Sequence, residues 1–328
     1  MSALSYDDIV LAQGRIADTV RATPVLRNQL LDDLAGAELW LKAENLQHVG
    51  AFKARGAFNT VAQLSPEQLQ RGLVTYSSGN HAQAVAWVAQ QFAVKARIFM
   101  PTNAPAVKVA AVKHLGAEIV SVGTTSLQRQ AAALEYAKES GAIIIEPFDH
   151  PHTIAGQGTA SLELKEQVFA RTKGKSLDQL FVPVGGGGLI AGACLAFAGS
   201  DTEVIAVEPT TCDSMNQSIS AGHVVAVEPG PTIADGLKPT KVGQLNFEIC
   251  KEHLTSCVTV EDEELSRALV QLLLWGKTLV EPSGAAALAA ALKGARVGGR
   301  VGVILSGGNL APEQVLSLVE RYSASASL

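Results

Sequence analysis

The chain has 328 residues, 47% of them hydrophobic and 17% charged, with a net charge of −5. That length supports one large or two medium domains around a sizeable core, and a charged fraction below the usual quarter leaves apolar surface to cover, most simply in a symmetric homodimer. Without a long run of Lys or Arg there is no electrostatic footprint for nucleic acid or an anionic membrane, so the expected partner is a small molecule.

Cys194, Cys212, Cys250 and Cys257 show neither CxxC spacing nor the density of a disulfide scaffold, which points to a reducing compartment, the cytoplasm. Residues 1–10 lack the basic flank and apolar stretch of a signal peptide. The longest apolar runs fall short of the roughly 20 residues a membrane helix needs.

Taken in order, residues 38–42 read as a strand, and residues 50–59, GAFKARGAFN, open a helix. From 72 to 149 apolar runs at 73–76, 97–100, 118–122 and 143–145 alternate with helical segments after residues 78 and 126. These are βα units, which predict a small inserted α/β domain with a parallel sheet. Residues 1–71 and 150–328 are expected to form the large domain. Its strands fall at 181–184, 203–207 and 301–305, and its helices around 161–170, 265–275 and 283–292. Residues 222–240 are rich in Pro and Gly and read as a loop-rich connection. A short helix and a Ser/Ala tail follow residue 305, with no regulatory domain expected.

Three stretches carry chemistry. Lys53 sits in GAFKARGAFN, and a lysine amine becomes a nucleophile and base when desolvation or a nearby cation disfavours its charged form; Arg55 is the expected cation. The strand at 73–76 runs into Ser77-Ser78-Gly79-Asn80-His81, which places free backbone NH groups and short polar side chains at a helix N-terminus. FVPVGGGGLIAG, residues 181–192, is a strand that breaks into Gly185, Gly186, Gly187 and Gly188 before a helix, an arrangement that cradles phosphate.

Gly186, Gly188 and Ala191 also match the G-x-G-x-x-A spacing of a dinucleotide fold, with Glu208 about 20 residues on. A nicotinamide-dependent oxidoreductase is therefore a competing reading, but it leaves Lys53 and the SSGNH turn without a role. A phosphate cradle together with a reactive lysine points instead to pyridoxal 5'-phosphate (PLP). A strand ending in Ser306, in LSGGN, offers that cofactor's pyridine nitrogen a neutral partner.

GAFKARGAFN, SSGNHAQA, IAGQGT (154–159), VPVGGGG, EPSGA (281–285) and LSGGN occur in that order along nearly the whole chain, which resembles the fold-type II PLP family of serine/threonine dehydratases and serine racemase. The resemblance implies two open, twisted, mostly parallel sheets flanked by helices. It implies that Lys53 holds the cofactor covalently with Phe52 beside the ring, that Asn80 meets the ring hydroxyl, that Gly185 to Gly188 bind the phosphate and that Ser306 faces the ring nitrogen. Ser77, Ser78, Gly79 and His81 would bind the substrate carboxylate, and the Ser78 hydroxyl would lie on the ring face opposite Lys53.

Two departures stand out: Ala51 replaces the serine of the common GSFK, and Ser214 replaces an aspartate of the family's cation site, leaving Glu208, Cys212 and Ser214 as a poor set for Mg²⁺ or Ca²⁺. The expected activity is β-elimination, with L-threonine or L-serine giving a 2-oxo acid and ammonia. Phe148, after Pro147, favours threonine over serine; Arg129, at a position where racemase relatives keep an arginine, keeps 3-hydroxyaspartate open against a plain solvated helix face. Serine racemisation and phenylserine dehydration are further alternatives, and a non-catalytic PLP- or amino-acid-binding module is the alternative from another class.

Overall fold

The computed structural model describes residues 4–77 and 79–322. Its strands are β1 (Val25–Leu26), β2 (Glu38–Ala43), β3 (Leu73–Tyr76), β4 (Ala96–Met100), β5 (Glu118–Ser121), β6 (Ile143–Ile144), β7 (Gln179–Pro183), β8 (Glu203–Pro209), β9 (Ser256–Val260) and β10 (Arg300–Leu305). They form a six-stranded sheet ordered β1-β2-β10-β7-β8-β9 and a four-stranded sheet ordered β5-β4-β3-β6. Every pairing is parallel except β1 with β2. This is the expected fold-type II architecture.

The helices are α1 (Tyr6–Ile16), α2 (Gln29–Ala35), α3 (Lys53–Val61), α4 (Pro66–Gln70), α5 (Asn80–Gln91), α6 (Ala106–His114), α7 (Ser126–Ser140), α8 (Pro151–Arg171), α9 (Gly188–Ala196), α10 (Ser214–Ala221), α11 (Gln244–His253), α12 (Asp262–Leu274), α13 (Pro282–Gly294) and α14 (Pro312–Tyr322). Both faces of the large sheet are covered, which is why its strands read as unbroken apolar runs. Along β7 the side chains alternate: Leu180 and Val182 pack toward α8, α9 and α11, while Phe181 packs toward α12 and α13. The alanines of α13 are buried nearly all round, so this helix lies close against the sheet.

The smaller sheet does not have its core to itself. Ala54, Ala57, Phe58 and Val61 of α3 join Leu73 of β3, Val85 and Trp87 of α5, and Ile145 in one cluster. α3 therefore lies between α8 on one side and α5 on the other, and its first residue, Lys53, opens toward the cleft between the two sheets. The close approach of α3 to α8 explains IAGQGT, which lies inside α8 rather than in a loop. A Cβ on Gly156 would come within 2.6 Å of the Arg55 carbonyl oxygen, and one on Gly158 within 2.8 Å of that of Gly192. Glycine in a helix interior costs about 0.5–1 kcal/mol relative to alanine, and here it lets two helices cross on α8.

Candidate active site

Lys53 is held by a pairing of two distant motifs. Ala51 bridges Gly307, the Phe52 NH donates to the Ser306 carbonyl at 3.1 Å, and the Gly308 NH donates to the Gly50 carbonyl at 2.9 Å. Gly50 turns with φ +69°, and a Cβ there would meet Asn309 Oδ1 at 2.8 Å. The start of α3 is thus pinned to the end of β10. The Lys53 amine donates to the Pro147 carbonyl at 2.7 Å and lies 5.0 Å from the centre of the Phe52 ring. Its side chain keeps an opening to solvent, yet the surrounding protein desolvates the amine and pushes its pKa down to about 7.

The expectation that Arg55 supplies the depressing charge is not met. Residues two apart on a helix do not face each other, and Arg55 turns into the protein, where its Nε meets Glu44 at 2.7 Å and its Nη1 meets Glu163 at 2.7 Å. Burial alone lowers Lys53.

Across the cleft, Asn80 begins α5, with Gly79 before it. Its Nδ2 donates to Glu281 Oε1 at 2.6 Å, while its Oδ1 accepts from Asn309 Nδ2 at 2.8 Å. The Ser306 hydroxyl is buried and reaches only as far as the Ser283 carbonyl, at 3.5 Å. Ser77 Oγ accepts from the Gly79 NH at 3.3 Å; Ser78 lies outside the described residues.

His81 is enclosed. Its Nε2 lies 2.8 Å from the Ile145 carbonyl oxygen and must be the donor there, while Nδ1 is buried without a partner. Burial, and then the charge of Lys53, push the ring pKa down to about 3, so the imidazole is neutral and Nδ1 offers a lone pair. The one N–H of the neutral ring is spent on Ile145, which leaves the ring no donor to offer a substrate carboxylate.

The glycine loop is closed on every side. A Cβ would lie 2.7 Å from the Gly236 carbonyl oxygen at Gly185, 2.2 Å from the Phe148 ring at Gly186, 2.9 Å from Asn246 at Gly187 and 2.5 Å from Gln157 Oε1 at Gly188. Gly187 adopts φ +97° and caps α9. Asn246 Nδ2 donates to the Gly186 carbonyl at 2.7 Å. Gln157 Oε1 and Asn246 Oδ1 are buried without partners. Gln157, Asn246 and Asn309 escaped the sequence reading; Gln157 sits within IAGQGT and Asn309 ends LSGGN, so the motifs marked them without giving them a role.

A profile of the family described as pyridoxal-phosphate dependent enzyme matches residues 16–307. The chain belongs to that family. It is 41% identical to the L-threo-3-hydroxyaspartate ammonia-lyase of Saccharomyces cerevisiae, over 96% of each protein. It is 39% identical to the L-threonine ammonia-lyase of Thermotoga maritima, over 94% of this chain and 76% of that one. The structure of maize serine racemase superposes with a TM-score of 0.90 at 37% identity, covering 99% of each chain. The company is one of PLP-dependent ammonia-lyases and racemases.

The residues present suit PLP. Four glycines in succession put no side chain of their own over the backbone NH groups at the start of α9, as a phosphate site requires. Lys53, its amine desolvated, rests on the Pro147 carbonyl, one residue from the Phe148 ring that packs on Gly186, so the depressed lysine and the glycine loop are neighbours. In this family the remaining expected site residues fall as follows. Phe148 packs its ring on Gly186. Arg129 of α7 is buried at 8% exposure, which overturns its reading as a solvated face. Among the described residues its guanidinium contacts the Thr124 carbonyl and Ser126 Oγ, and its Nε has no partner.

Glu208 is spoken for by the protein itself. Its Oε1 accepts from the Met215 NH at 2.8 Å and its Oε2 from the Asn216 NH at 2.9 Å, capping α10, which starts at Ser214. Burial pushes its carboxyl up to about 8 against the pull of those two donors. Cys212 Sγ has the Gly230 carbonyl nearby, and the described residues contain no cluster of three His, Cys, Asp or Glu able to hold an ion. A hard cation wants several oxygens, so dialysis against EDTA is expected to leave most of the activity intact. Loss of activity that Mg²⁺ or Ca²⁺ restores would contradict this.

Proposed function

We propose that the enzyme is an ammonia-lyase for a β-hydroxy amino acid, L-threonine or L-serine, yielding the corresponding 2-oxo acid and ammonia. The observation that carries this reading is the Lys53 amine, desolvated to a pKa of about 7 in a cleft whose other walls are a phosphate cradle and a neutral hydroxyl. When bound, PLP supplies the electron sink that makes the substrate's α-hydrogen acidic.

The chain's own residues do the rest. The glycine loop and the N-terminus of α9 would hold the phosphate, and Asn80 would meet the ring hydroxyl. Ser306, a hydroxyl rather than a carboxylate, would leave the ring nitrogen largely unprotonated. Lys53 would hold the cofactor, and its amine, when free, would take the substrate's α-proton as general base. The β-hydroxyl departs with a proton as water. The enamine that leaves takes up water in turn, so the net products are the 2-oxo acid and ammonium. Racemisation needs a proton donor on the second face as well, the role the resemblance gives to Ser78.

The Phe148 ring over Gly186 supports a substrate with an apolar β-substituent, threonine before serine. A second reading has its own observation. Arg129 is a buried cation without a carboxylate partner among the described residues, a costly state that an anionic ligand relieves, and L-threo-3-hydroxyaspartate brings a second carboxylate. Ammonia release from the three amino acids, in wild type and Arg129→Ala, separates the two. If hydroxyaspartate is the substrate, the variant loses about 100-fold in kcat/KM on it, as expected for one charge-assisted pair, and changes little on threonine. Equal loss on all three, or none, leaves Arg129 a structural residue and the threonine reading in place. No ammonia from any of them defeats the lyase assignment.

A further inference from the structure

EPSGA has no part in the chemistry so far, yet its glutamate reaches the middle of the cleft. Glu281 occupies the N-cap position of α13 but does not cap its own helix with its side chain. Its backbone NH donates to the Gly307 carbonyl at 3.0 Å, which turns the carboxyl inward to Asn80 Nδ2 at 2.6 Å. Only 4% of the residue is exposed. Gly307 is where it is because of this contact: a Cβ there would lie 2.4 Å from Glu281 Oε1 and 3.1 Å from Asn80 Nδ2.

A buried carboxylate with an amide rather than a cation for its partner is a poor way to stabilise a fold and a common way to tune a functional site. An asparagine amide has two N–H donors and one acceptor oxygen. Here the oxygen is taken by Asn309 and one N–H by Glu281, so the amide cannot turn over without setting donor against donor. One N–H is left.

We infer that Glu281 is a positioning residue of the cofactor site: it fixes the Asn80 amide with one N–H free for the cofactor's ring hydroxyl, and its own ionisation sets the charge lodged behind that hydroxyl. The inference rests on the reading of Asn80 as the ring-hydroxyl partner. Ionised, Glu281 opposes loss of the ring-hydroxyl proton; protonated, it does not. Burial pushes its carboxyl up to about 7, Asp235 in the turn Asp235–Leu237 adds to the rise, and the Asn80 contact and Lys108 of α6 work against it. Lys108 and Asp235 are themselves paired across the cleft, so their charges largely offset one another.

The test is a pH titration, from 5.5 to 8.5, of the absorbance and visible circular dichroism of the bound cofactor, together with the dissociation constant of PLP from reconstituted apoprotein. Wild type is expected to show a cofactor-band transition near pH 7. Glu281→Gln, which still accepts from Asn80, is expected to bind PLP within about twofold of wild type and to lose the transition. Glu281→Ala and Asn80→Ala are each expected to bind PLP about tenfold more weakly, as for one lost hydrogen bond at a buried site. A Glu281→Gln band that titrates as in wild type overturns the inference, as does a Glu281→Ala protein that binds like wild type. If Asn80→Ala itself binds and absorbs like wild type, the assignment of Asn80 fails and the inference with it. If Glu281→Ala does not fold, the Gln variant decides.

Discussion

Lys53→Ala is expected to lower turnover of every β-hydroxy amino acid by about a thousandfold or more, because one side chain both carries the cofactor and moves the α-proton, and a general base alone is worth about 10²- to 10⁴-fold. The glycine loop is untouched, so the variant should still take up PLP, with the absorbance of the unlinked cofactor. The same lysine predicts a pH dependence for apoprotein. Only the neutral amine attacks PLP, and with a pKa of about 7 the rate of covalent reconstitution should fall about tenfold per pH unit below 7 and level off above it. A variant retaining a tenth of wild-type turnover, or a reconstitution rate still rising steeply at pH 9, argues against a desolvated Lys53 as the reactive group.

Arg55→Met is expected to cost about 3–5 kcal/mol of unfolding free energy, the usual penalty for stripping one partner from a buried ion pair. The guanidinium holds Glu44 through two contacts, at 2.7 and 2.9 Å, and Glu163 through two more, at 2.7 and 2.8 Å. Lys42 Nζ shares Glu163 at 2.7 Å, and Thr23 donates its hydroxyl to Glu44. Removing Arg55 leaves Glu44 buried, with the Thr23 hydroxyl as its side-chain donor and Lys42 as the remaining nearby cation. Although burial opposes it, Arg55 holds the Glu44 carboxyl below its ordinary 4.5. The stabilisation is therefore present above pH 4.5 and lost as pH falls through the depressed value, and the gap between wild type and variant should narrow in acid. Urea unfolding of both proteins at pH 7 and pH 4 measures this. A gap below 1 kcal/mol at pH 7 would mean that the network is not what seats α3.

What could be read beforehand follows from how local each demand is. A phosphate cradle needs glycines in succession, and a cofactor lysine needs a short seat of small residues; both are written within a dozen positions, as Gly185 to Gly188 and GAFKARGAFN show. β1 has two residues and no period to detect, and β9, at the sheet edge, mixes Ser and Thr with Cys and Val. The roles of Asn246 and Glu281 depend on partners 60 and 201 positions away, so nothing near them in the sequence announces the contact. Arg55 misled because its direction is set by the turn of α3, and Arg129 because burial of one helix face depends on what packs there.

The function proposed for this site stands or falls with Lys53 as the residue that carries the cofactor. Purified holoenzyme reduced with borohydride and digested should give one pyridoxyl-modified peptide, with the label on Lys53 of GAFKARGAFN. A label on any other lysine, or no labelled peptide from protein that retains its cofactor absorbance, would contradict it.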